Sequence, residues 1–308
     1  MFGHGAPAVL SVIPDTFTFA WIVAILFATA WLLDSRGLAA GRTLAAATWA
    51  LFGIFWLSTV PYFALEHQSY VESILALVGF PASVYAGYLL YDGRASLFTL
   101  TRAIALMLFI YLPFETIPAF TFAGVAVPEP RRILIEVVAS QTGALIDLLG
   151  YAPEAVTSSE GYQAAYSWTL DDGHTVVIHI VLACTGLGSM AIFGGLVAAV
   201  EAPLARKLRA LAVSLPLIYV LNILRTTFIS VVAGNQYMHW YPDLVLTMFG
   251  ATDPYRVSFL ISDRIMSQLL AVVALIAITF LAVRELPELA VILEDVLYLL
   301  TGEEHDLT

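Results

Sequence analysis

The stretch FTFAWIVAILFATAWLL, from Phe17 to Leu33, runs for seventeen residues without a charged side chain. A transmembrane helix needs roughly 20 predominantly apolar residues at about 1.5 Å of rise each, and this run meets that requirement. Six further stretches read the same way, approximately 44–63, 71–91, 97–117, 180–200, 211–233 and 265–283. Pro61, Pro81 and Pro216 fall inside three of them, where neighbouring helices can satisfy the carbonyls that a kink releases. Residues around Ile117 to Val127, set among Pro113, Pro118 and Pro128, admit an eighth span, broken or interfacial. The fold class expected is an all-α polytopic membrane protein of about seven transmembrane helices, or eight, forming one multi-span domain over 1–308.

Composition supports this outward from the first span. The chain is 60% hydrophobic and 12% charged, with a mean hydropathy of +0.87, far from soluble globular domains. A net charge of -11 leaves no basic surface to neutralise phosphates, which excludes nucleic acid as a partner. Twelve arginines and the single lysine Lys207 face 24 acids, a balance that resembles proteins working in high salt and points to a halophilic archaeal source. Cys184 is the only cysteine, so an intramolecular disulfide, a CxxC pair and a four-cysteine metal site are excluded. No histidine or carboxylate cluster has ligand spacing, and neither metal nor cofactor is implied.

Loop cations set the orientation. Arg36, Arg42, Arg94, Arg206, Lys207, Arg209 and Arg284 fall on one side of the seven spans, which should be cytoplasmic. The N-terminus is then outside and the C-terminus inside. The opposite side holds an external insertion of about 118–179 and a second stretch, 234–264, with Arg131, Arg132 and Arg256 as exceptions. Within the insertion, Ile133, Val137, Leu145, Leu148 and Leu149 have helical spacing over 133–149. Ala164 to Leu170 and His174 to Ile180, joined by Asp171-Asp172-Gly173, predict a short hairpin, because Asp-Gly supplies the turn angles. The acidic cytoplasmic tail, about 285–308, places Leu289, Leu293, Val296, Leu297 and Leu300 as on a surface helix.

Three residues stand out against this apolar background: Cys184 in the fifth span, Arg225 in the sixth and Arg264 at the start of the seventh. Counting about 1.5 Å per residue from the expected outer boundary, Cys184 lies roughly 6 Å deep, Arg225 roughly 12 Å deep and Arg264 near the surface. All three fall in the outer leaflet. Arginine in hydrocarbon is costly without a partner or a task, and a thiol near fixed positive charge or a helix N-terminus ionises more readily. A second guanidinium can hold an oxyanion. Asn222, three residues before Arg225, shares its helix face and is placed to orient that side chain or hold substrate backbone. His179, with His174 and His239, offers a base or leaving-group acid.

Structural readings compete at each position. A lone membrane cysteine can be a packing residue, Arg264 can snorkel with Asp263 as a surface partner, and Gly186, Gly188, Ser189, Ala191, Gly194 and Gly195 can form a helix-packing face. Gly186-Leu187-Gly188-Ser189 also superficially matches an intramembrane serine-protease motif, but that chemistry needs a histidine on a later span, and none occurs.

The run Ala183-Cys184-Thr185-Gly186-Leu187-Gly188-Ser189-Met190, followed by Asn222-Ile223-Leu224-Arg225 and Arg264, resembles the archaeosortase and exosortase family, most nearly its haloarchaeal archaeosortase A branch. The resemblance is best over about Ala183 to Gln268. It implies a membrane-embedded cysteine transpeptidase in which Cys184 is the nucleophile that forms an acyl thioester. Arg225 would stabilise thiolate or oxyanion, and Arg264 would contact the oxyanion or a lipid phosphate. It implies, as partners, surface proteins such as S-layer glycoprotein that end in a Pro-Gly-Phe (PGF-type) signal, a membrane helix and a basic tail. A membrane phospholipid would accept the new C-terminus. Two other readings stay open. A transporter of an anionic solute would use Arg225 and Arg264 and tolerate loss of Cys184; a noncatalytic assembly factor would depend instead on Gly194 and Gly195.

Overall fold

The computed structural model describes residues 15–66, 70–304 and 306–307. In chain order the helices are α1 (Thr16–Asp34), α2 (Ala40–Pro61), α3 (Tyr70–Asp92), α4 (Leu97–Thr116), α5 (Pro130–Leu148), α6 (Leu187–Ala199), α7 (Leu204–Gly234), α8 (Pro242–Phe249), α9 (Val257–Phe259), α10 (Gln268–Glu285) and α11 (Ala290–Thr301). Five short strands lie between α4 and α6: β1 (Phe120–Phe122), β2 (Val125–Val127), β3 (Glu154–Val156), β4 (Ala165–Thr169) and β5 (Thr175–His179). Among the described residues, six helical stretches are long and apolar enough to cross a membrane, and α6 is a shorter apolar helix. The protein is therefore a multi-pass, mainly helical membrane protein. Its described residues form two compact units.

The first unit contains α1–α4, Gly194–Ala202 and the chain from Pro287 onward. Asp15 starts α1, its Oδ1 accepting from the Phe17 and Thr18 N–H groups at 3.1 and 3.0 Å, as an N-cap should. Inside the bundle, Val23, Ala24, Phe27, Trp49, Phe52, Leu90 and Leu97 form a continuous core. The Trp49 indole is matched within that core: Trp49 Nε1 donates to Thr101 Oγ1 at 2.9 Å, and Thr101 Oγ1 donates to the Leu97 carbonyl at 2.8 Å. Gly87 permits close approach of α3 to α2, since a Cβ there would lie 2.7 Å from the Ala46 carbonyl oxygen. The tail expected to form a helix does so as α11. Arg94 fastens it, with Nε 2.7 Å from Asp295 Oδ1, Nη1 2.7 Å from Glu304 Oε1, and the guanidinium 3.9 Å above the Tyr298 ring.

The second unit spans Ile117–Phe193 and Pro203–Leu286. The eighth span considered at Ile117 to Val127 is instead the antiparallel β1–β2 hairpin. Ala123 and Gly124 both turn with positive φ, 49° and 82°, and that reversal ends any helical path. The amphipathic stretch at 133–149 is helix α5. The predicted hairpin is present as β4–β5, with Thr169 paired to Thr175 and Ala165 to His179, and β3 adds a third strand along β4. Two aromatic residues of β4 anchor the sheet. Tyr166 Oη donates to the Ala139 carbonyl at 2.6 Å, and the Trp168 indole lies flush on Gly234, leaving no room for a Cβ.

Two expected spans have different bounds. The fifth, read as 180–200, begins as sheet: the Ile180 N–H donates to the Ala164 carbonyl at 2.8 Å, a 3-10 turn covers Leu182–Thr185, and α6 starts only at Leu187. The seventh, read as 265–283, extends back to Pro254. Between α9 and α10 its backbone is a π-helix over Leu260–Ser267, so Arg264 sits inside the helical stretch and not at its edge.

Candidate active site

Cys184 is the third residue of the Leu182–Thr185 turn, and its position follows from the local sequence. Its own N–H donates to the Val181 carbonyl at 2.8 Å. Thr185 closes the turn, donating from Oγ1 to the Leu182 carbonyl at 2.7 Å and accepting from the Leu187 N–H at 3.3 Å. Gly186 then reverses the path with φ 75°, a left-handed conformation that favours glycine. Cys184 is thus on a separate turn ahead of α6, not within the first turn of a continuous helix as the sequence suggests. The thiol-bearing residue is partly buried.

This turn is fastened to α7. Asn222 Nδ2 donates to the Cys184 carbonyl through a short hydrogen bond, and Thr226 Oγ1 donates to the same oxygen at 3.2 Å. Asn222 and Thr226 are one helical turn apart and flank Arg225. Arg225 reaches the π-helical segment, with Nη2 2.6 Å from Asp263 Oδ1. The other oxygen of Asp263, Oδ2, lies 3.4 Å from Arg264 Nε. Asp263 and Arg264 are only 13% and 12% exposed, burial that an ionised side chain sustains only with an opposite charge beside it. The group carries a net charge of about +1, counting two guanidiniums and one carboxylate.

Asn222 thus joins the Cys184 turn to α7, the helix of Arg225, and Asp263 joins Arg225 to Arg264. His179 is not joined to them: it is exposed on β5 and makes no side-chain hydrogen bond among the described residues. His174 stacks face to face on Tyr255 at 3.5 Å, while Tyr255 Oη donates to Asp172 Oδ2 at 2.7 Å. His239 approaches Gln236 at 3.4 Å. These two histidines thus hold loops. Two residues of the group escape a reading of the sequence. Asp263 looks like a surface partner of its neighbour, and its adjacency to a membrane arginine was the available signal; Thr226 shows no signal beyond its spacing of four from Asn222.

Beside this group runs a groove of about 540 Å³ between α7 and α10. Gly186, Ser189, Asn222 and Arg225 contribute one polar part of its lining, while Leu221, Leu224, Leu270 and Val273 are among its apolar residues. The arrangement sets a cationic side chain, Arg225, in an apolar groove beside the turn that carries the Cys184 thiol. It is suited to acyl chemistry on a substrate with a membrane-embedded part.

Comparison with known proteins agrees with this chemistry. The family model for transmembrane exosortase (Exosortase_EpsH) matches residues 13–254. Archaeosortase A of Haloferax volcanii is 54% identical over 288 residues, covering 94% of this chain and 95% of that protein. Archaeosortase A of Natronomonas pharaonis is 42% identical over 306 residues, covering 95% and 91%. No solved structure matches. A family match over most of the sequence, two relatives aligned nearly end to end and a lone cysteine seated among intramembrane arginines lead to one assignment: the chain belongs to the transmembrane exosortase family.

Proposed function

We propose that this membrane transpeptidase, which processes the C-terminal signals of surface proteins, carries its chemistry on Cys184, Arg225 and Arg264. Asn222 supports it by holding the nucleophile's turn. One observation favours this reading above the others: the Cys184 carbonyl is pinned by Asn222 and Thr226, the residues that flank Arg225 on α7. Such pinning ties the backbone of Cys184 to the helix that carries Arg225, and fixed geometry is what converts a weak nucleophile into an effective one.

In this mechanism the Cys184 thiolate attacks the carbonyl carbon of the scissile peptide in the client's signal. Arg225 holds the thiolate before attack and the tetrahedral oxyanion after it, with Arg264 sharing the negative charge. The carbon–nitrogen bond then breaks, the departing nitrogen takes a proton, and a thioester joins the client to Cys184. That proton comes from solvent in this reading, because His179 stands exposed on β5, apart from the group. A nucleophilic headgroup atom of a membrane phospholipid next attacks the thioester carbon and gives up its proton, the new bond to that carbon forming as the carbon–sulfur bond breaks and the thiolate leaves. Arg264 is suited to the lipid's phosphate, which a guanidinium matches well. The clients in this reading carry a PGF-type signal, with S-layer glycoprotein as the expected class. The site faces the outer leaflet, with the N-terminus outside and the C-terminus in the cytoplasm. The 1–308 chain works as one multi-span domain, with the external insertion of about 118–179 ahead of the nucleophile.

The apolar groove supports a membrane substrate rather than a soluble one. Transport of an anionic solute fits less well, because Asp263 already occupies the space between the two guanidiniums. The test is processing of a tagged client in cells carrying Cys184→Ala at wild-type expression. Loss of cleavage with retained client binding is expected; wild-type cleavage would reassign Cys184 to packing.

A further inference from the structure

We propose that Asp263 is a positioning residue of this site, setting the direction of the Arg225 guanidinium from the π-helical segment. The inference rests on the reading of Cys184 and Arg225 given above. Asp263 divides its two oxygens between two arginines: Oδ1 takes Arg225 Nη2 at 2.6 Å and Oδ2 faces Arg264 Nε at 3.4 Å. A carboxylate shared in this way bridges the pair, where a two-pronged clamp on one arginine would use up both oxygens. The contact with Arg225 goes through a single nitrogen. Its remaining N–H groups make no hydrogen bond among the described residues, and the side chain lines the groove. Arg225 is thereby tethered at one corner and presented at the others.

Several facts make this more than charge neutralisation. Arginine has a long side chain with many rotamers, and it loses less freedom in reaction when a second residue has already chosen its orientation. Asp263 and Arg264 are adjacent, and in an α-helix neighbouring side chains diverge by about 100°. Here they sit within an eight-residue π-helix, Leu260–Ser267, a rare backbone that is frequent at functional sites. Tyr255 and Ser258 secure the chain just before it: Gln236 Nε2 donates to the Tyr255 carbonyl at 2.9 Å, and Ser258 Oγ accepts from the Met238 N–H at 3.0 Å. The segment that carries the carboxylate is therefore held from the far end of α7 and its following loop. Asp263 connects that held segment to the middle of the same helix.

The test uses full-length protein in lipid vesicles with a synthetic client peptide bearing the signal, and reads kcat and KM per folded molecule. Asp263→Asn keeps the shape of the side chain and removes its charge. It is expected to lower kcat by about 10- to 100-fold, the loss of a hydrogen bond to a charged group, while KM stays within about threefold. Asp263→Glu, which retains the charge, should recover most of the rate. The swapped pair Arg225→Asp with Asp263→Arg should restore the ion pair and the unfolding temperature but not turnover. Wild-type kcat in Asp263→Asn would overturn the proposal. So would a loss that rises through KM, or one that the swapped pair repairs, since those results describe a structural bridge. Cys184→Ala in the same assay separates the two readings: if it still processes client, the site assignment itself fails, whatever Asp263 does.

Discussion

Replacing Gly186 by alanine tests whether the Cys184 turn is as tightly specified as its contacts indicate. Gly186 has φ 75°, and a Cβ there would lie 3.1 Å from both Cβ and Cγ of Asn222. An L side chain in left-handed backbone costs about 1–2 kcal/mol. Displacing Asn222 gives up its bond to the Cys184 carbonyl, a net loss of about 0.5–1.5 kcal/mol. The native turn is thus disfavoured by roughly 1.5–3.5 kcal/mol in Gly186→Ala. At about 1.4 kcal/mol per factor of ten, processing should slow by about 10- to 300-fold if only the native turn reacts. Gly188 is the matched control, because nothing lies within 4 Å of a Cβ at that position; its alanine variant should unfold within about 0.5 kcal/mol of wild type. The assay is pulse-chase processing of a tagged client alongside thermal unfolding of the purified proteins. A Gly186→Ala protein with wild-type processing and wild-type unfolding would refute the reasoning, for neither strain nor the Asn222 contact would then matter.

Other perturbations probe separate parts of the molecule. Asn222→Ala leaves Thr226 as the remaining side-chain donor on the Cys184 carbonyl and should cost about 1 kcal/mol, close to a fivefold drop in processing rate, with the Asn222→Ala/Thr226→Val protein worse than either single variant. Arg94→Ala strands Asp295, which is 1% exposed and would keep only its 2.8 Å bond from Ser96 Oγ; thermal unfolding should show a loss of about 3 kcal/mol. The hydrogen bond from Tyr255, then that from the His174 N–H, holds the Asp172 carboxyl below its ordinary pKa. A lowered carboxylate pKa stabilises the docked turn above the ordinary carboxylate range and loses that contribution as pH falls through the lowered value. Limited proteolysis of the insertion should therefore accelerate at acid pH in the wild type, and Asp172→Asn should remove that acid step.

Much of this fold is legible because hydropathy is a strong, local signal. Phe17 to Leu33 has no alternative to a membrane helix, and Asp172-Gly173 marks its hairpin by turn chemistry. The misread parts have non-local causes. Ile180 to Leu182 is apolar enough to extend the fifth span, yet Ile180 is claimed by a hydrogen bond to Ala164, sixteen residues earlier. β3 is three residues long, too short for any alternation to be seen. At the site, Cys184, Arg225 and Arg264 declare themselves because thiol and guanidinium chemistry is conspicuous in an apolar chain. Asp263 does not, since its decisive partner is 38 positions away and the π-helix that presents it has no marker in residue type. A reading of the sequence starts the seventh span at 265, because Asp263 and Arg264 look like a membrane boundary until the pairing of Asp263 with both Arg225 and Arg264 is known.

The central claim is that Cys184 becomes covalently joined to the client. The most direct measurement is intact-protein and peptide mass spectrometry on enzyme quenched during turnover of a synthetic client, without lipid acceptor. The account predicts the client's N-terminal fragment attached to the Cys184 peptide through a hydroxylamine-sensitive bond, released when phospholipid is added. An adduct on any other residue, or complete processing by Cys184→Ala with no adduct at all, would contradict it.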